Sequence, residues 1–243
     1  MTGSPAGPEG EAPTGPAPRR EAWQWTVGHA VAAFAAGIGA SLLAALAVAP
    51  GGITSFETFA VIGPAQALVS ITVVAVLGRF PPPGREGLGL RFAPVDGLAV
   101  LLGSALQFGL SLLLSLVVVV FLGGEAPVQE VVQIVDEAAD PGTRAAVVIT
   151  AVVLAPLAEE LVFRGVLLRA LARRHPGWPA AFGSAAAFAL AHLLDANAGL
   201  AVPAFLVMGL VLARMVQASG RLGGAVAAHA GFNLLSVLLL FFA

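Results

Sequence analysis

The chain has 243 residues, of which 58% are hydrophobic and only 11% are charged, and its formal net charge is −2. This composition excludes an ordinary water-soluble domain and indicates a multi-pass protein of the cell membrane, for which we expect no nucleic-acid partner. The absence of cysteine excludes disulfide bonds, thiolate metal sites and a cysteine nucleophile.

The N-terminal 22 residues are rich in proline, glycine and alanine, a composition that cannot bury a core, so we predict a disordered tail. Seven apolar stretches follow, each long enough to cross a bilayer core of about 30 Å at about 1.5 Å per residue. We therefore predict an all-α, polytopic membrane helical bundle. The predicted helices lie at about 26–49, 58–78, 97–122, 144–172, 179–196, 199–216 and 222–242.

The acidic stretch between the third and fourth apolar segments has a helical pattern of its own. Val128, Val131, Val132 and Val135 follow the spacing i, i+3, i+4, i+7, with acidic residues on the other side. This pattern predicts an amphipathic helix on the membrane surface, and a solvated acidic loop is the alternative.

The arginines predict the orientation of the bundle. They collect in alternate links between the apolar stretches, whereas the other links carry acidic residues and only Arg144. The positive-inside rule therefore places the N-terminus in the cytoplasm and, with seven helices, the C-terminus outside.

Three ionisable side chains lie within the fourth apolar stretch, in the run LAPLAEELVFRG from Leu154 to Gly165. Glu159 and Glu160 fall near the bilayer midplane, where each carboxylate costs at least ~2.5 kcal/mol on insertion scales. Glu160 and Arg164 are spaced i, i+4, so we predict a structural ion pair. Glu159 points about 100° away without such a partner, which makes it the candidate general base.

Two later stretches offer polar partners at comparable depth. Phe188 and His192 share one helix face, and His229 and Asn233 share another, each pair at i, i+4 spacing. Taken singly, such a histidine or asparagine is as often a hydrogen bond between helices as a functional group. The combination with Glu159 on three separate helices favours a common site.

These three motifs resemble those of a known family. The sequences EELVFR (Glu159–Arg164), FALAH (Phe188–His192) and HAGFN (His229–Asn233) are similar to the E-E-x-x-x-R, F-x-x-x-H and H-x-x-x-N motifs of the CPBP family. This family comprises the CAAX-prenyl-protease and bacteriocin-processing intramembrane proteases, also called Abi. Phe205 and Gly209 resemble its F-x-x-x-G segment.

The resemblance covers about residues 143–236, so we divide the chain into the tail (1–22), an N-terminal membrane part (23–142) and a CPBP-like catalytic core (143–243). It implies a peptidase that acts inside the membrane. Glu159 and His192 would activate the attacking water, and His229 and Asn233 would stabilise the oxyanion. Glu160, Arg164 and Phe188 would support the site.

The resemblance leaves the cofactor and the substrate open. Glu159, His192 and His229 could instead bind Zn²⁺, since a carboxylate and two histidines form the ligand set of many zinc hydrolases, although the H-E-x-x-H motif is absent. We expect no obligatory metal. The expected partners are the lipid bilayer and a membrane-associated peptide or protein, with a prenylated substrate as one option.

Two other functions remain compatible with the sequence. A bacteriocin-immunity or scaffold protein could use the same fold only to bind a partner. A proton-coupled transporter could use the buried glutamates and histidines as a relay, although the two halves of the chain show no internal repeat.

Overall fold

The seven predicted membrane segments are all helical in the computed structural model. The described residues are 24–79, 87–124, 132–133, 138, 140–195 and 197–242. Their main helices are α1 Val27–Gly51, α2 Ser55–Leu77, α3 Pro94–Leu122, α4 Pro141–Ala172, α5 Trp178–Leu194, α6 Ala198–Ser219 and α7 Gly223–Phe242.

Six of these helices are long and apolar enough to cross a membrane, and α5 is a shorter apolar helix. No strand occurs within the described ranges. The structure therefore confirms the predicted all-α, multi-pass membrane bundle. The predicted tail and nearly all of the predicted amphipathic segment lie outside the described residues. The orientation in the membrane stays a prediction from the arginines.

Helix α4 begins at a well-formed cap. Asp140 adopts an extended backbone conformation and accepts a hydrogen bond from the backbone N–H of Thr143 at 3.0 Å, and Pro141 occupies the first helical turn. The hydroxyl of Thr143 also donates to the Asp140 carboxylate, and these hydrogen bonds hold the pKa of Asp140 below its usual value. An ionised aspartate at this position also stabilises the helix through the helix dipole.

Helix α4 is the centre of the bundle. It packs against α1, α2, α5 and α7, and it is the most buried of the six long membrane helices. The outer helix α3 packs mainly along α7 and exposes most of its apolar surface. This arrangement puts the polar residues of α4 inside protein and leaves α3 to face lipid.

The α-helical hydrogen-bond register of α4 is interrupted twice along its length. Two π-helical segments, Val148–Leu154 and Leu161–Leu167, flank the short α-helical segment Ala155–Glu160. A π-helical segment inserts an extra residue into a turn and shifts the side chains that follow, and such segments are frequent at functional sites. Both glutamates of α4 lie on the segment between the two.

Helices α3 and α7 touch through two glycines. A Cβ atom added to Gly103 would lie 1.7 Å from the carbonyl oxygen of Ala228, and one added to Gly231 would lie 2.1 Å from that of Val100. The two backbones therefore approach as closely as small residues allow, which is how many membrane helices associate.

This contact predicts a difference between two glycines of the same helix. Gly103→Ala should lower the thermal unfolding midpoint of detergent-purified protein, because the methyl group collides with the backbone of α7. Gly109→Ala is the matched control, since nothing lies within 4 Å of its added Cβ. The control should be neutral or stabilising by up to about 1 kcal/mol. Equal midpoints for the two variants would contradict the close α3–α7 contact.

Candidate active site

A buried ion pair forms the base of the site. Arg164 Nη1 donates to Glu160 Oε1 at 2.8 Å, and both side chains are fully buried. The i, i+4 spacing in α4 brings them together, as predicted from the sequence. Because single charges are costly in this environment, each of these two ions depends on the other.

The guanidinium of Arg164 is held from two further helices. Its Nη2 donates to the carbonyl oxygen of Gly209 in α6 at 3.2 Å, and its Cζ lies 4.5 Å from the ring centroid of Phe188 in α5. A Cβ atom added to Gly209 would lie 3.0 Å from Ala185 and 3.2 Å from Arg164 Nη2. A glycine at this position therefore lets α6 approach α5 and present its carbonyl to the arginine.

Glu160 also holds His229, which lies 69 residues away on α7. The Nδ1 atom of His229 lies 3.0 Å from Glu160 Oε1, and the histidine is buried. An ionised carboxylate only accepts hydrogen bonds, so the proton between these atoms belongs to Nδ1. The second ring nitrogen, Nε2, is thereby turned toward the neighbouring glutamate.

Glu159 occupies the open side of the site. Its Oε2 lies 3.6 Å from Nε2 of His229, and its side chain is 29% exposed, whereas that of Glu160 is fully buried. A separation of 3.6 Å is too long for a hydrogen bond. One water molecule could lie about 2.8 Å from both atoms, which is a normal hydrogen-bond distance. Two adjacent glutamates thus occupy different environments.

His192 approaches the same region from α5. Its Nδ1 lies 2.9 Å from the carbonyl oxygen of Phe188, and its ring stacks on Phe205 with 4.0 Å between centroids. The ring of Phe188 contacts both His192 and His229, at centroid distances of 4.6 and 5.7 Å. This phenylalanine therefore lies against both histidines.

Asn233 lies one turn beyond His229 on α7. Its Nδ2 donates to the carbonyl oxygen of Ala151 in α4 at 2.7 Å. An amide nitrogen carries two N–H groups, so one further hydrogen bond remains available to it.

The structure brings most of the predicted site residues together. Glu159, Glu160, Arg164 and His229 form one connected cluster, with Phe188 packed against it. His192 makes no hydrogen bond or ion pair with either glutamate among the described residues. Its α-helix ends at Ala191, so it lies in the terminal turn of α5 and not within the regular helix.

Sequence reasoning missed the backbone partners of the site. The carbonyl groups of Gly209 and Ala151 hold Arg164 and Asn233 in place. A carbonyl group carries no signal in a sequence. For Gly209, the F-x-x-x-G similarity pointed to the residue without indicating its contact.

The predicted zinc ligands Glu159, His192 and His229 do not converge on one point. Within the described parts of the chain, no group of three or more histidine or acidic side chains is arranged to hold a metal ion. Glu159 and His229 lie together, whereas His192 points its Nδ1 at a backbone carbonyl and stacks on Phe205. The three side chains therefore do not form a ligand set in this arrangement.

Comparison with known proteins agrees with the motifs. Residues 141–235 match the family described as Type II CAAX prenyl endopeptidase Rce1-like. The match runs from the start of α4 into α7 and includes every predicted site residue, which confirms the resemblance inferred from the sequence. No curated protein and no solved structure matches the chain. The chain is therefore a multi-pass membrane protein with a segment similar to intramembrane peptidases.

The buried pair predicts a large stability effect for one arginine. Arg164→Met should lower the free energy of unfolding by about 3–5 kcal/mol, because it leaves the Glu160 charge buried without its main partner. Arg174→Met is the matched control, since this arginine is exposed and its change should stay within about 0.5 kcal/mol. Unfolding is monitored in detergent. Equal free energies of unfolding for the two variants would contradict the assignment of Glu160 and Arg164 as a buried ion pair.

Proposed function

We propose that this protein is an intramembrane endopeptidase with Glu159 as its general base. The observation that carries the proposal is the pairing of a partly exposed glutamate with His229, above the buried ion pair of Glu160 and Arg164. The family match of residues 141–235 supports the same reaction class.

In the first step, Glu159 accepts a proton from a water molecule held between its Oε2 and His229. The water oxygen then forms a bond to the carbonyl carbon of the scissile peptide, and the carbonyl oxygen becomes negatively charged. His192 assists by accepting a hydrogen bond from this water at Nε2, since its Nδ1 is occupied by the Phe188 carbonyl.

In the second step, two donors on α7 stabilise the oxyanion. The His229 ring carries a proton on both nitrogens from the start of the reaction, so Nδ1 donates to Glu160 while Nε2 donates to the oxyanion, and Asn233 donates its second N–H group. As the tetrahedral intermediate collapses, the C–N bond breaks and Glu159 returns its proton to the leaving amine. The carboxylate of Glu159 is then regenerated.

We further propose that the reaction needs no obligatory metal and that the substrate is a membrane-associated peptide. The CAAX description of the matched family favours a prenylated C-terminal segment as the substrate class. A zinc-dependent reaction with Glu159, His192 and His229 as ligands is the alternative, and it makes the opposite prediction for a chelator.

The test is cleavage of a fluorogenic farnesylated peptide, its unfarnesylated form and a pooled membrane-peptide library by detergent-purified protein. Glu159→Gln should lower kcat/KM by about 10²–10⁴-fold, because the water loses its base. His229→Ala should lower it by at least about 10²-fold. His175→Ala is the matched control, since this histidine is exposed in the link between α4 and α5.

Chelator should leave the wild-type rate unchanged. Loss of activity with chelator and its return with Zn²⁺ would support the metal alternative. If folded wild-type protein cleaved none of these substrates, the peptidase assignment would be contradicted and a binding or immunity role favoured. Proton flux in liposomes that is lost in Glu159→Gln would instead support a transporter.

A further inference from the structure

The hydrogen bond between Asn233 and Ala151 joins α7 to the π-helical part of α4. Asn233 Nδ2 donates to the Ala151 carbonyl oxygen at 2.7 Å, although the residues are 82 positions apart. A helix interior normally satisfies its own carbonyl groups. The Ala151 carbonyl instead accepts from a side chain of another helix, and the cause lies in the backbone of α4.

The backbone of α4 offers Ala151 no donor at this point. In the π-helical segment Val148–Leu154, the N–H of Ala155 donates five residues back, to the carbonyl of Thr150. The next residue in that register, Pro156, would face the carbonyl of Ala151, but proline has no N–H group. An unsatisfied carbonyl inside a membrane protein is costly, so a donor from another helix is required.

We infer that Pro156 is a positioning residue for Asn233. By withholding a backbone N–H, it leaves the Ala151 carbonyl free to fix one N–H of the Asn233 amide, which directs the other N–H toward the oxyanion. Pro156 is fully buried and lies three residues before Glu159. The same turn of α4 therefore places the general base and the acceptor that orients the oxyanion donor. The catalytic part of this inference rests on the proposed function.

The first test is a double-mutant cycle on stability, which does not depend on activity. Asn233→Ala should lower the unfolding midpoint on the order of 5 °C, because it leaves the Ala151 carbonyl unsatisfied. Pro156→Ala supplies a backbone N–H that donates to the Ala151 carbonyl in the π register. If the segment relaxes to the α register, the N–H of Ala155 donates to Ala151 instead. In the Pro156→Ala background, Asn233→Ala should lower the unfolding midpoint by less than half as much as it does in the wild type.

The second test is the same cycle on catalysis with the peptide substrate. Pro156→Ala should lower kcat by about 10–100-fold with KM changed less than about 2-fold, because the amide loses its fixed orientation. The double variant should be no slower than Asn233→Ala alone. Pro203→Ala is the matched control, since the carbonyl of Gly199, four residues before Pro203, already accepts a hydrogen bond from the N–H of Val202.

Equal midpoint losses for Asn233→Ala in the two backgrounds would overturn the link between Pro156 and Asn233, whatever the activity. Additive losses in kcat would overturn the positioning role. A wild-type protein without peptidase activity would contradict the proposed function, while the stability cycle would still decide the structural link. Pro156→Ser also supplies an N–H and replaces Pro156→Ala if that variant does not fold.

Discussion

The ion pair between Glu160 and Arg164 is the interaction on which the site depends. Two fully buried charges in an apolar bundle depend on each other and on contacts from neighbouring helices. Arg164 reaches the Gly209 carbonyl and the face of Phe188, and Glu160 reaches His229. One pair within α4 thereby fixes the positions of α5, α6 and α7.

The same pair separates the roles of two adjacent glutamates. Glu160 contacts Arg164 and His229, whereas Glu159 has a partly exposed side chain that lies 3.6 Å from Nε2 of the same histidine. A partly exposed carboxylate, unlike the buried pair, can contact a water molecule. The π-helical segments on either side of the glutamates set which face of α4 each one occupies.

A sequence reveals contacts that depend on local helical spacing, but not those that depend on how distant segments pack. The i, i+4 pair of Glu160 and Arg164 and the separate direction of Glu159 could be predicted because both depend only on helix geometry. The contact of Glu160 with His229 and that of Asn233 with Ala151 span 69 and 82 residues, so they depend on how α4 and α7 pack. Hydropathy predicted the seven helices, but not the register changes inside α4.

The most direct test of this account is to determine by ¹⁵N NMR which ring nitrogen of His229 carries a proton. The protein is labelled at its four histidines for this measurement. Resonances can be assigned by single substitution of each histidine. Because Glu160 accepts from Nδ1, the account predicts that Nδ1 of His229 carries a proton in the folded protein. A neutral ring with its proton on Nε2 and a bare Nδ1 would contradict the arrangement.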